Sequence, residues 1–222
     1  MNPDFAARWG WRRYATSIAL SRARRAGLHV VRVVSLSTDQ AKESSLPPGF
    51  SLQLDTAARL QQLSPEIRAE MDLSDAFLSR ASAGNLDAVT LWDQRGLVAS
   101  NWFARSSAAA PFSSSVDVVV GRKDCAYAFK SFVRESSRGR GLGRAIRLGR
   151  LAFLRELGIV REVGYIDPDN FRSFRHYSRL GGVTMGWAGV HTGRRGFRQF
   201  RSMGAEQFGF QFVPARPPAP EH

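Results

Sequence analysis

The chain is poor in cysteine, in lysine and in long apolar runs. A single cysteine, Cys125, stands in 222 residues, which excludes a disulfide framework and any multi-cysteine zinc site. It opens an apolar, β-favouring run and reads as a buried structural thiol. The four histidines, at 29, 176, 191 and 222, are scattered. No histidine or acidic cluster has metal-ligand spacing, so no metal is expected. No stretch reaches the roughly 18 consecutive apolar residues of a membrane-spanning helix. The N-terminus lacks the apolar core and small-residue cleavage site of a secretory signal, and a cytoplasmic protein is the expectation.

Lysine occurs only at 42, 123 and 130, so nearly all of the 32 basic residues are arginine, and the formal charge is +13. Such a field attracts anions. Eight arginines lie between Arg134 and Arg161 against Glu135 and Glu156, which concentrates the charge in one segment. Apolar residues make up 43% and charged residues 23%, enough for a packed core, and the length suits one domain with extensions or a small two-part arrangement.

That segment also holds the most informative motif. An aromatic run, Tyr127 to Val133, predicts a strand that ends in Arg134-Glu135-Ser136-Ser137-Arg138-Gly139-Arg140-Gly141-Leu142-Gly143-Arg144, where a helical pattern begins. Strand, small-residue loop and helix start make a phosphate cradle. Glycines at 139, 141 and 143 allow close approach of a ligand, first-turn amides point at it, and Arg138, Arg140 and Arg144 add guanidinium groups that match phosphate geometry. A P-loop is excluded because no Lys-Ser/Thr follows the glycines, and a dinucleotide fingerprint because its third small residue falls on Arg144.

The pattern Arg-x-x-Gly-x-Gly, read as Arg138, Gly141 and Gly143, resembles the coenzyme A loop of the GNAT family of acyl-coenzyme A-dependent N-acyltransferases. A second match lies downstream. Asn170, Ser173, Tyr177 and Gly181 resemble the family's Asn-x-x-Ala-x-x-x-Tyr-x-x-x-Gly, with serine for the usual alanine. Gly182 stands where the family usually places an aromatic residue. Asn170, Ser173 and Tyr177 are three and four residues apart and share one helical face; Asp169 or Asn170 caps the helix and Gly181-Gly182 ends it.

The resemblance implies a mixed α+β GNAT fold. Its central twisted sheet is mostly antiparallel, with helices on its flanks and the fourth and fifth strands splayed, and here it gains an N-terminal helical extension. It covers residues 49 to 213. Residues 1–48 form a basic helix (Pro3 to Gly27), a strand (Leu28 to Leu36) and a polar linker, all outside the common core; 214–222 is a disordered tail. Within the core the expected elements are a strand at 50–55, helices at 56–63 and 65–83, and a hairpin at 87–92 and 97–104. A polar loop at 105–114 follows, then strands at 115–120 and 125–133, the helix at 142–157, a strand at 159–166 and the helix at 170–180. Strands at 183–190 and 206–213 close the sheet. Ile146, Phe153 and Leu157 are expected to share the buried face of the first motif helix.

It further implies acetyl transfer from acetyl-coenzyme A to a primary amine, of a small molecule such as an amino sugar or of a peptide, by direct attack in a ternary complex. Amides of the loop Arg138, Gly139, Arg140, Gly141, Leu142, Gly143 and Arg144 bind the pyrophosphate. Phe132 and Val133 end the splayed strand and supply an N–H to the thioester oxyanion. Asn170 and Ser173 contact the coenzyme, and Tyr177 protonates the leaving sulfur. No general base is identifiable: Glu135 lies just past the strand, and His176 is read as facing elsewhere on its helix. Asp75, Asn101 and Trp102 are candidate acceptor-lining residues, and the run Arg194, Arg195, Arg198 and Arg201 reads as a solvated face. The protein is expected as a monomer or homodimer. The alternatives are a non-catalytic acyl-coenzyme A sensor, or a protein that binds nucleic acid or an anionic membrane surface. The Arg- and Trp-rich N-terminal helix carries the last two readings, and nucleic acid is not the expected partner.

Overall fold

The computed structural model describes residues 10–41, 46–84, 86–110, 113, 115–193 and 196–215. Helix α1 (Trp11–Arg25) leads into β1 (Leu28–Ser37). Then come β2 (Ser51–Thr56), α2 (Ala57–Gln61), α3 (Pro65–Glu70), α4 (Asp75–Ala83), β3 (Asp87–Asp93), β4 (Gly96–Ala104), β5 (Ser107–Ala109), β6 (Val116–Val120) and β7 (Cys125–Val133). The second half continues with α5 (Leu142–Glu156), β8 (Arg161–Ile166), α6 (Phe171–Arg179), β9 (Val183–Gly193), β10 (Gly196–Arg201), α7 (Met203–Glu206) and β11 (Phe210–Pro214).

Eight strands form one sheet in the order β10-β9-β1-β8-β7-β4-β3-β2, and β11-β6-β5 form a smaller one. Every pairing is antiparallel except that of β7 with β8. These two parallel strands are in register only where Cys125–Tyr127 face Arg161–Val163. Beyond that point they part, which is the splay the resemblance implies. Lys130 is an extra residue in β7, because Ser131 faces Asn101 while Phe129 faces Trp102. Such a bulge bends the strand and increases its twist, here just before the open end.

Alternation along each strand sends one set of side chains to each face of the sheet. Val31, Val33, Trp102, Tyr127 and Val163 join Phe210 and Phe212 on one side. On the other, α5 covers Val89, Leu91, Val98 and Phe103, and α6 lies over Val34, Leu36 and Ile166. Helix α5 holds Leu142, Ile146, Gly149, Arg150 and Leu154 toward the sheet. Leu157, expected on that face, is exposed, because the helix ends one residue earlier.

Several expectations are corrected. The strand expected at 28–36 was placed outside the common core; it is β1, an inner strand of the main sheet between β8 and β9. Val31, Val33, Val34 and Leu36 are all buried, so both faces of the strand are covered although Arg32 and Ser35 interrupt its apolar run. The helix expected over 65–83 is two helices, broken where Asp72 takes a left-handed conformation (φ 55°). The loop expected at 105–114 carries β5, and the strand expected at 206–213 is a helical turn followed by β11 in the smaller sheet. Arg198 and Arg201 belong to strand β10, which the sequence reading missed. Residues 3–9, Arg194, Arg195 and 216–222 lie outside the described residues; Pro214, assigned to the tail, ends β11.

Candidate active site

The loop after β7 forms because its residues suit its dihedrals. Gly139 (φ 83°) and Gly141 (φ 76°) are left-handed, a region that costs any residue with a Cβ. Gly141 is the N-cap of α5 and no side chain satisfies the helix start. Arg144 and Ala145 donate back to the Gly141 carbonyl at 2.9 and 3.2 Å. The amides of Leu142 and Gly143 make no such bond among the described residues and keep the donor capacity of a helix start. A Cβ at Gly139 or Gly141 would meet nothing within 4 Å, so the loop opens into free space.

That space is a cleft of about 520 Å³ between the end of β7, the start of α5 and one face of α6. It is within the range of small-molecule sites. Phe132, Val133, Arg138, Gly139, Gly141, Leu142, Gly143, Arg144 and Ser173 all line it, and these are nine of the expected site residues. Val133 ends the strand with its amide on the open side. Arg134 donates to Val98 of β4 at 2.8 Å, and strand amides alternate between edges, so the Val133 N–H faces the gap beside β8. Arg138 sits at the rim, donating from Nε to the Val133 carbonyl at 3.2 Å.

Three expected residues lie elsewhere. Arg140 covers the Phe50 ring, 5.1 Å from its centroid. Asn170 is the N-cap of α6 and accepts from the Ser173 amide at 3.1 Å. Tyr177 is turned inward: it is 5% exposed, clusters with Leu151, Ile166 and Leu180, and is not part of the cleft wall. Its hydroxyl is buried without a hydrogen-bond partner, and burial pushes the phenol far above the ordinary tyrosine range.

Other residues take the places the sequence reading left empty. Arg147, Arg172, His176 and Arg179 line the cleft. His176, expected to face away, is held below its ordinary pKa by burial first and then by Arg147; a hydrogen bond to the Gly143 backbone pulls the other way. It is therefore a neutral imidazole among arginines. Arg147 lies with its guanidinium carbon 5.5 Å from the Tyr177 ring centroid, and its Nε and Nη1 are buried with no partner. Burial pulls Arg147 below its ordinary value and Arg150 reinforces this. Arg150, on the inner side, makes a two-point bond to Glu162: Nε to Oε2 at 2.9 Å and Nη2 to Oε1 at 2.7 Å, both residues almost fully buried. The cleft wall has five arginines and no carboxylate, so its field is strongly attractive to an anion.

The candidate acceptor residues do not reach this cleft. Asn101 and Trp102 are buried in β4, and Asp75 is an exposed partner of Arg68. Cys125 is a buried thiol pushed up to about 11 by desolvation, consistent with a structural role. Among the described residues no group of three His, Cys, Asp or Glu is placed to hold a metal, and no helix is long and apolar enough to cross a membrane.

No protein-family model matches the chain, and no curated protein does. Solved structures do resemble it. A tandem GNAT protein from the clavulanic acid biosynthesis pathway is 16% identical over 90% of this chain and 59% of its own, with a TM-score of 0.47. A GCN5-related N-acetyltransferase from Kribbella flavida is 18% identical over 74% and 59%, TM-score 0.46. One from Sphaerobacter thermophilus is 12% identical over 84% and 57%, TM-score 0.45. The chain spans under two thirds of the length of each. What the protein does is argued from the cleft alone.

Proposed function

We propose that the protein is an acyl-coenzyme A-dependent N-acyltransferase, with acetyl-coenzyme A as donor and a primary amine as acceptor. The observation that carries this reading is Arg147: a half-buried side chain whose Nε and Nη1 are out of solvent without a partner, on the wall of a cleft that the Gly139–Gly143 loop opens. Leaving such a group unpaired costs free energy, and a bound phosphate would remove that cost. Coenzyme A fits this wall. Its diphosphate would take the Leu142 and Gly143 amides with Arg147, and Arg144, Arg172 and Arg179 offer further charge to a polyanion.

When bound, the coenzyme supplies an activated thioester. Val133 would donate its N–H to the oxygen that gains charge as the amine attacks, a role typically worth about 3–4 kcal/mol. Ser131, Phe132 and Val133 would fix the acyl arm beside the β7–β8 gap, so that proximity does much of the work. Tyr177, the proton donor in the resemblance, has its hydroxyl away from the cleft, so the proton for the departing thiolate would come from solvent or from the nitrogen of the neutral amine, which becomes an ammonium once it has added to the carbonyl.

Incubation of the protein with acetyl-coenzyme A and a panel of amino sugars, polyamines and peptide N-termini, with thiol release as readout, tests the transfer. Release that depends on amine is expected. Release with none of them favours the second reading, a non-catalytic acyl-coenzyme A sensor. The inward Tyr177 hydroxyl and the lack of a carboxylate base on the wall are what speak for it. The absence of any thermal shift with coenzyme A would sink both, because a ligand that binds only the folded state must stabilise it. A cytoplasmic site of action is part of the proposal.

A further inference from the structure

We infer that Tyr177 is a positioning residue that acts through its ring, not its hydroxyl, by holding Arg147 toward the anion in the cleft. The inference rests on the cleft being an anion site, as proposed above, and concerns how that site is built.

Four observations carry it. First, the Tyr177 ring lies under the Arg147 guanidinium at 5.5 Å, within the range of a cation–π contact, which is strongest where the cation is desolvated. Second, Arg147 has no close polar partner at Nε or Nη1 and forms no ion pair among the described residues; Arg150 repels it, and the more weakly felt Glu162 attracts it. Third, the hydroxyl has no hydrogen-bond partner and Tyr177 does not line the cleft, so no hydrogen bond to the site runs through it. Fourth, the ring is pinned from behind. A Cβ at Gly182 would sit 2.1 and 2.3 Å from Tyr177 Cδ1 and Cε1, closer than any side chain tolerates.

Gly182 thereby acquires a reason. Where a bulkier residue would push the ring outward, glycine lets it lie against the turn that ends α6, with the Gly182 amide donating to the Tyr177 carbonyl at 3.1 Å. The ring then packs among Leu151, Ile166 and Leu180 and offers its face to Arg147. Behind it, Glu162 is bonded at two points to Arg150, and the repulsion from Arg150 outweighs the attraction of Glu162 for Arg147. The cation is left with an aromatic face on one side and the open cleft on the other.

The test uses the full chain and two ligands, inorganic pyrophosphate and coenzyme A, titrated calorimetrically. Tyr177→Phe keeps the ring and should bind pyrophosphate within about twofold of wild type, while Tyr177→Leu should lose roughly tenfold, the scale of a desolvated cation–π contact. Gly182→Ala, which displaces the ring without removing it, should fall on the Leu side. In an Arg147→Gln background, Tyr177→Leu should cost nothing further, since the two act as a unit. The inference is overturned if wild type does not bind pyrophosphate, if Phe is as damaging as Leu, or if the Leu loss persists without Arg147. A protein that binds pyrophosphate in this pattern and ignores coenzyme A keeps the inference and sinks the acyltransferase reading.

Discussion

Arg147 and Arg150 stand three residues apart on α5, both drawn away from solvent, and they meet different surroundings. Arg150 faces the sheet and is held by a two-point bond to Glu162, with only Nη1 left without a partner. Arg147 faces the cleft, rests on an aromatic ring and leaves two nitrogens without partners. A buried cation with its counter-ion is architecture: it fixes how α5 lies on β8. A half-buried cation without one adds to a field that favours an anion in the cleft. The same residue type on the same helix thus separates what holds the fold from what we propose binds a ligand.

Breaking the inner pair should have the largest effect. Glu162→Gln leaves Arg150 as an uncompensated buried charge and should cost about 3–5 kcal/mol of stability, read from the urea midpoint. Coenzyme affinity of the fraction that remains folded should change little. Arg147→Gln should do the reverse. Coenzyme A binding should weaken tenfold or more, about 1.4 kcal/mol or above, with stability unchanged or raised, because a desolvated unpaired charge has been removed. If both substitutions act on stability alone, the distinction between them fails.

A smaller effect concerns the loop. Gly141→Ala forces a Cβ into a left-handed N-cap, φ 76°, and should cost on the order of 1 kcal/mol. Since the added methyl meets nothing within 4 Å, the cost is conformational, and a matching loss of coenzyme affinity would show that the loop shape serves the ligand.

The pH dependence follows from His176. Burial and Arg147 depress its pKa, so between that depressed value and the unfolded value of about 6.5 the unfolded chain binds more protons. Stability should therefore fall as pH drops through about 6.5. His29, also depressed by burial and by Arg24, adds to the same limb. His176→Gln should flatten it, measured as the difference in urea midpoint between pH 7.5 and 5.5, and an unchanged slope would place the acid sensitivity elsewhere.

The smallest stability effect is expected for Tyr177→Phe. Its buried hydroxyl makes no hydrogen bond, so its removal should be neutral or slightly stabilising, and turnover should persist. Loss of turnover with coenzyme affinity intact would instead restore the phenol of α6 as a proton donor.

What was legible in the sequence follows a physical boundary. The loop at 138–144 depends on local chemistry, glycine dihedrals and a helix start, and nine of the expected residues line the cleft it opens. The splay of β7 from β8 came with the resemblance to a known arrangement. The misplaced residues depend on which face of a helix turns to the cleft, and tertiary packing decides that. Tyr177 shares a face with Asn170 by spacing, yet the room left at Gly182 draws its ring inward and turns His176 and Arg179 outward. Arg147 carried a readable signal, the arginine density from 134 to 161, but its lack of a partner is visible only in three dimensions. The inner position of β1 depends on pairings more than a hundred residues distant, Arg32 with Ile166 for instance, which no local pattern encodes.

The central claim is that the Gly139–Gly143 loop and Arg147 together hold the diphosphate of coenzyme A. Calorimetric titration of coenzyme A into wild type and Arg147→Gln tests it most directly. Saturable one-to-one binding that weakens tenfold or more in the variant is predicted. Equal affinity in the two proteins, or no binding to wild type, would contradict it.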